Sequence, residues 1–456
     1  MVLSCPLDFR YGRPALKAIF SEEGKLERLL AVEASLARAH AHVGTIPKEA
    51  AAEISRKATL EYVSPERVHE IEAEIRHDLM AVVKALTEKC EGEAGKFVHF
   101  GATSYDIIDS ANALMFRDGL DHIEHGLENL VDALAALAEK HRDTVMLGRT
   151  HGQAAVPMTF GLKMAVFLLE AQRHLDRLHE MRPRVVVGKM AGAVGTSAGL
   201  GAHAFQIRDF VAEDLGIGME DGPTQIVQRD RYNELFGYFA NLAASLEKFA
   251  TEVRTLQRSE IDEVAEGFDV KKQVGSSTMA QKRNPVKSEK ISGLARVVRS
   301  NVIPAYENSI QWNERDLANS SAERFIIPHA FVLMDEILQD AVDVFRNLVV
   351  KPENMRRNLD LNPGVMAENL LLTLTRKGLG RQDAHELIRQ VTMRGGEFKK
   401  NLLDDKTVRS YLSPEEIAKA IDPASYTGMS GPTVDAAVAK VRALRAAHKR
   451  GTYLSD

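Results

Sequence analysis

Three short polar segments hold the residues of this chain best equipped for chemistry. The first is His99-Phe100-Gly101-Ala102-Thr103-Ser104-Tyr105-Asp106, and the second is Gly148-Arg149-Thr150-His151-Gly152-Gln153. The third is Gly275-Ser276-Ser277-Thr278-Met279-Ala280-Gln281-Lys282-Arg283-Asn284-Pro285. Each sets hydroxyls, a cation or an imidazole beside a glycine that lets the backbone bend. Singly, each has a plain structural explanation: Thr103 or Ser104 caps a helix, His151 is a satisfied structural histidine, and Ser276-Ser277 is a solvated loop. Together they make a working set. His151 offers an imidazole, a side chain suited to delivering a proton near neutral pH. Lys282 and Asn284, two residues apart, are suited to holding a carboxylate.

No metal-ligand set accompanies them. His174 and His179 are five apart and do not share a helix face, and His122 and His125 are three apart with no further ligand nearby. Cys5 and Cys90 make neither a disulfide framework nor a metal-binding set. No glycine-rich dinucleotide or phosphate loop occurs. The expected chemistry uses side chains alone, without metal or cofactor.

The segments interrupt long helical patterns. From Pro223 to Pro285 there is no proline, and Leu235, Phe239, Leu242, Leu246, Phe249, Val253 and Leu256 alternate steps of four and three, which keeps them on one helix face. A second seam runs Ile123, Leu127, Leu130, Leu134, Leu137. A third runs Phe160, Met164, Phe167, Leu175, Leu178, just after Pro157, a residue suited to a helix's first turn. Phe331, Met334, Ile337, Leu338, Ala341 and Val344 predict a fourth. Only Val185-Val186-Val187 invites a strand. The expectation is all-α: a helical domain over 1–107 opened by Ser21-Glu22-Glu23-Gly24, a long-helix bundle over 108–360, and a third helical domain over 361–456, punctuated by Pro363-Gly364, Gly380, Gly395-Gly396 and Pro423.

Residues 275–285 match Gly-Ser-Ser-x-Met-x-x-Lys-x-Asn-Pro, and so resemble the signature of the fumarase/aspartase superfamily. The second segment resembles that superfamily's Gly-Arg-Thr-His stretch and the first its Thr-Ser-x-Asp stretch, in the same order along the chain. One departure is Ala280, where the superfamily usually has Pro; it removes no functional group. The resemblance implies a three-domain helical fold and a homotetramer whose active sites are each shared by three subunits. It implies Ser276 as the base, acting as an alkoxide supported by loop amides and Lys282, and His151 as the acid that protonates the leaving nitrogen. Glu289 is implied as the carboxylate that orients the imidazole, although an acid there also suits a helix's first turn. Residues 270–284, poor in groups that anchor to a core, are expected to close on the ligand.

Further stretches resemble the branch of the superfamily that removes fumarate from succinylated purine nucleotides. Arg10-Tyr11 resembles its phosphate-contacting pair, Arg76-His77-Asp78 its Arg-His-Asp triplet, and Gln225 its substrate-binding glutamine. Arg315, Ser320 and Arg324 resemble its phosphate- and ribose-binding stretch. His99, Thr103 and Ser104 join the implied substrate contacts, with Asn284. A nucleotide monophosphate needs cations and hydroxyls at one end, which Arg10, Arg315, Ser320 and Arg324 supply. Argininosuccinate lyase, an amine-eliminating alternative, takes a guanidino substrate that would not require this set. A silent scaffold, the other alternative, would be free to lose catalytic residues that are all present here.

Of the 456 residues, 45% are hydrophobic and 27% charged, a globular composition. The net charge of -5 gives no basic footprint for nucleic acid. No stretch approaches the ~20 apolar residues of a membrane span, and no secretory pattern follows Met1, so the expected partners are a small substrate and further copies of the chain, in the cytoplasm.

Overall fold

The structure, a computed structural model, describes residues 4–268, 278, 279 and 281–449. Among the described residues the chain is all-α in class, with twenty α-helices and six short strands. The predicted seams lie on helices Ser104–Lys140, Phe160–Val185, Asp230–Leu256 and Ala318–Arg346. Leu127, Leu134, Phe160, Leu178, Leu235, Phe239, Phe331 and Ile337 are each at most 1% exposed. Helices of this length are held by burying such a face rather than by intrinsic propensity. None of the described helices is long and apolar enough to cross a membrane.

Two expectations need correction. Pro157 does not open a helix: it pairs with Leu147 inside an antiparallel hairpin, Val145–Thr150 with Gln153–Thr159, and the helix begins at Phe160. The valine run forms only the last turn of its helix plus the strand Val187–Gly188, which pairs in parallel with Gly218–Met219.

The chain divides into two compact units. In the first (residues 1–128, 174–247 and 290–339), Phe331 is the central ring. Its centroid lies 4.7 Å from that of Phe20, 5.6 Å from Phe116 and 4.9 Å from Phe239. Gly119 permits this, since a Cβ there would come within 2.7 Å of the Phe331 ring. Helix Glu22–His42 starts as predicted: the Ser21 hydroxyl accepts from the Gly24 amide at 3.0 Å. Gly24 lets the chain turn tightly there, because a Cβ would meet the Ala18 carbonyl oxygen at 1.9 Å.

The second unit comprises residues 129–173, 248–289 and 340–456. In it Phe167 stacks on Phe249 at 4.2 Å, and Phe345 meets both edge-on at 6.3 Å. A smaller core of Leu370, Leu374, Ile388, Val391, Leu402 and Ile417 joins the short helices from Ala367 to Ala420. Gly380 and Pro423 stand at their boundaries, as the sequence predicts.

Candidate active site

His151 occupies the tip of the 145–159 hairpin. Thr150 pairs with Gln153, so His151-Gly152 is a two-residue loop. Both have positive φ, 54° and 73°, the conformation that lets a two-residue turn follow the twist of its strands. His tolerates this region better than most residues, at some strain. The imidazole is exposed and makes no hydrogen bond among the described residues. Its neighbour Arg149 is structural instead: it grips the buried carboxylate of Glu263 at 2.7 and 3.0 Å, and Asn358 donates to the same carboxylate at 2.8 Å. The loop is therefore anchored immediately before the residue it presents.

Lys282, Asn284 and Glu289 line a recess of about 980 Å³ in the same unit, with Gln257, Arg254 and Arg258. Glu289 stands in the first turn of helix Val286–Ser300. That helix start is fixed by Glu266, which accepts from the amides of Lys287 at 3.2 Å and Ser288 at 2.7 Å. Gln257 ties the preceding strand of chain down, donating to the Arg283 carbonyl at 3.2 Å and accepting from the Glu266 amide at 2.8 Å. No hydrogen bond joins Glu289 to His151 among the described residues. Ser276, and with it most of the 270–284 loop, lies outside the described residues.

The first unit gathers the nucleotide-type residues. The Arg315 guanidinium lies 3.8 Å above the centre of the Tyr105 ring and donates to the Gln225 side-chain oxygen at 2.9 Å. Its Nε and Nη2 are buried without an acceptor among the described residues. Arg324 pairs with Asp78 at 2.6 Å, and Asp78, Tyr105, Ser320 and Arg324 line one cavity of about 270 Å³. His77 caps the next helix, its Nδ1 accepting from the Met80 amide at 3.3 Å, which leaves the Nε2 proton outward. Arg76 is left-handed, φ 57°, and exposed. Arg10, exposed, and Tyr11 follow the short helix Pro6–Phe9, and both amides donate to the Pro6 carbonyl. Neither they nor Arg76 and His77 line that cavity.

His99, also left-handed at φ 63°, is clamped by Glu33. Its Nδ1 is 2.7 Å from one carboxylate oxygen and its amide donates to the other at 3.1 Å. Burial works against a charged imidazole, but the hydrogen bond and charge of Glu33 outweigh it and hold the His99 pKa above its ordinary value. Thr103 and Ser104 mark the start of the long helix Ser104–Lys140, where Asp106 reaches back to the Thr103 amide at 2.8 Å. Asp106 is itself fully buried against Lys189 at 2.6 Å and accepts from the amides of Ala191 and Gly192.

Sequence reasoning missed Glu33, Tyr105 and Lys189 as supports of this region. Asp106 was visible in the Thr-Ser-x-Asp stretch, but its partner 83 residues away was not. Arg229, beside Gln228, is 2% exposed and bonded to both Asp109 and Glu323. Among the described residues no group of three or more potential ligands could hold a metal.

Comparison with known proteins bears on these features. A family model described as "Lyase" matches residues 8–300, and one described as "Adenylosuccinate lyase C-terminus" matches residues 363–437. The chain is 52% identical over 428 residues to adenylosuccinate lyase of Pyrococcus horikoshii, covering 93% of this chain and 94% of that protein. It is 51% identical to the Pyrococcus abyssi adenylosuccinate lyase, covering 94% and 96%. The crystal structure of 3-carboxy-cis,cis-muconate lactonizing enzyme from Pseudomonas putida shares the fold with a TM-score of 0.89 and 35% identity, covering 96% of this chain and 99% of that one. Since half of the positions match over nearly the full length of those relatives, the chain belongs to the adenylosuccinate lyase family.

Proposed function

We propose that the protein eliminates fumarate from adenylosuccinate to give AMP, and from the succinyl-aminoimidazole-carboxamide ribotide (SAICAR) to give AICAR, in purine nucleotide synthesis. The observation that carries the nucleotide reading is Arg315. A guanidinium stacked on Tyr105, with two buried donors unmet among the described residues, is poised for an anionic acceptor, because a buried unpaired donor costs free energy until a ligand satisfies it.

In this reading the base removes a proton from the carbon next to a substrate carboxylate. The C–H electron pair moves into the carboxylate as an aci-carboxylate, then forms the new double bond as the C–N bond breaks, and His151 delivers a proton to the departing nitrogen. Lys282 and Asn284 hold the carboxylate on which negative charge develops. Ser276 is the proposed base and Glu289 the proposed partner of the imidazole. His151 makes no hydrogen bond among the described residues, which supports a site completed by other subunits of a homotetramer. Both cysteines are free thiols, which suits the reducing cytoplasm we propose as its compartment.

The test is a spectrophotometric assay with adenylosuccinate, argininosuccinate and malate in parallel. Turnover of adenylosuccinate alone is expected. Preference for argininosuccinate would replace the nucleotide reading by the guanidino one, and silence on all three would favour a scaffold. Sedimentation showing an active monomer at low concentration would overturn the shared-site assembly.

A further inference from the structure

Among the described residues Lys25 is paired with no carboxylate. It lies one turn into helix Glu22–His42, and its backbone amide donates to the Ser21 carbonyl at 2.9 Å. The Ser21 cap and the close turn at Gly24 fix where its side chain leaves the helix. That side chain reaches the cavity of about 270 Å³ that Ser320, Arg324, Asp78, Tyr105 and Asn112 also line. A second hollow of about 170 Å³ shares Lys25, Asp78 and Arg324.

The nearby acids are mostly committed elsewhere. Asp78 pairs with Arg324 at 2.6 Å, Glu323 with Arg229 at 2.7 Å, and Glu22 with His69. Glu72 acts on Lys25 only through its field. Lys25 itself has no hydrogen bond or ion pair among the described residues. A largely desolvated ammonium beside a second cation is unfavourable unless something anionic joins it. Burial first, and the Arg324 charge second, hold its pKa below the usual lysine value.

We infer that Lys25 is a nucleotide-specificity residue, which with Arg324 and the Ser320 hydroxyl binds the phosphate of the substrate. This rests on the nucleotide reading of the site given above. The cavity is also lined by Glu22, Asp78 and Glu323, but each of these carboxylates has a basic partner of its own, in His69, Arg324 and Arg229; Lys25, with Arg324 and the Ser320 hydroxyl, is left to meet a phosphate monoester, which presents several acceptor oxygens and close to two negative charges. Arg315, stacked on the Tyr105 ring that lines this cavity, offers its donors to the same phosphate, and Lys282 and Asn284 are the candidates for the substrate carboxylates.

The experiment measures AMP and adenosine binding by titration calorimetry on the full-length protein and on Lys25→Met and Lys25→Arg. The wild type is expected to favour AMP. Lys25→Met should lose roughly 10- to 100-fold in AMP affinity, the scale of one charge-assisted contact, while keeping its adenosine affinity, and Lys25→Arg should recover most of the loss. The same factor is expected in KM for adenylosuccinate. Equal loss of AMP and adenosine in Lys25→Met would mean a structural role and overturn the inference, as would an undiminished preference for AMP. A wild type that binds AMP no better than adenosine would instead overturn the nucleotide reading itself.

Discussion

His99 and Glu33 form a two-point clamp: one carboxylate oxygen meets the imidazole Nδ1 at 2.7 Å and the other takes the backbone amide of the same residue at 3.1 Å. The raised His99 pKa makes this clamp pH-dependent. Below the ordinary imidazole value of about 6.5 the histidine is charged in both folded and unfolded chains, and the contribution is fully present. It is lost as pH rises through the raised folded value. Glu33→Gln should therefore cost most stability near pH 6, on the order of 1 kcal/mol, and progressively less above the folded pKa. Denaturant unfolding of both proteins across this range checks it. A gap that does not change with pH would refute the charged clamp.

His151→Asn separates chemistry from folding. Asn accepts positive φ readily, so the hairpin should persist and the melting temperature stay within a degree or two, the range of an exposed substitution. Turnover should fall more than ~100-fold, the usual size of a lost general acid. Mixing this variant with Ser276→Ala should restore some activity if sites are shared between chains. No recovery after verified subunit exchange would count against sharing.

The buried pair Lys189–Asp106 is expected to be costly to break. Lys189→Met leaves a fully buried carboxylate held only by amides, a loss of about 3–5 kcal/mol. Adding Asp106→Asn should restore part of it, because the second change removes the stranded charge. Urea unfolding of the two single variants and the double variant reads the coupling. Strict additivity would show that the pair is not a unit.

Arg315→Lys keeps the charge and discards the planar fork. Stacking on Tyr105 and the two waiting donors both depend on that plane. KM for adenylosuccinate should rise roughly 10- to 100-fold, as for loss of a bidentate contact. A lysine variant with wild-type KM would show that only the charge matters.

The long helices were legible because an apolar residue every three or four positions repeats over many turns, and Leu235 through Leu256 shows this directly. The hairpin was not. Its strands hold Gly148 and Pro157, which argue against a strand, and their buried positions do not alternate cleanly. The His-Gly tip carries a turn preference only once the two flanking runs are known to pair. Residues 282–289 and the 99–106 stretch stood out as candidates because their types are concentrated in sequence. Glu33 was hidden, since an acid between Val32 and Leu36 looks like a helix surface residue, yet it is 1% exposed. Tyr105 became meaningful only when folding laid Arg315, 210 residues later, across its ring.

Phe331 and Arg324 are seven residues apart on helix Ala318–Arg346, nearly two complete turns. On a regular helix that spacing would set them within about 20° of the same direction, and Pro328 lies between them. Phe331 is wedged among Phe20, Phe116 and Phe239, and Gly119 leaves no slack behind it. The root of a solvent-facing arginine is thus aimed by an interior ring. Enlarging Gly119 or trimming Phe331 is expected to disturb the helix that carries Arg324 and its pairing with Asp78. Ligand preference in this lineage can therefore drift through changes of interior volume, at positions that never meet the ligand.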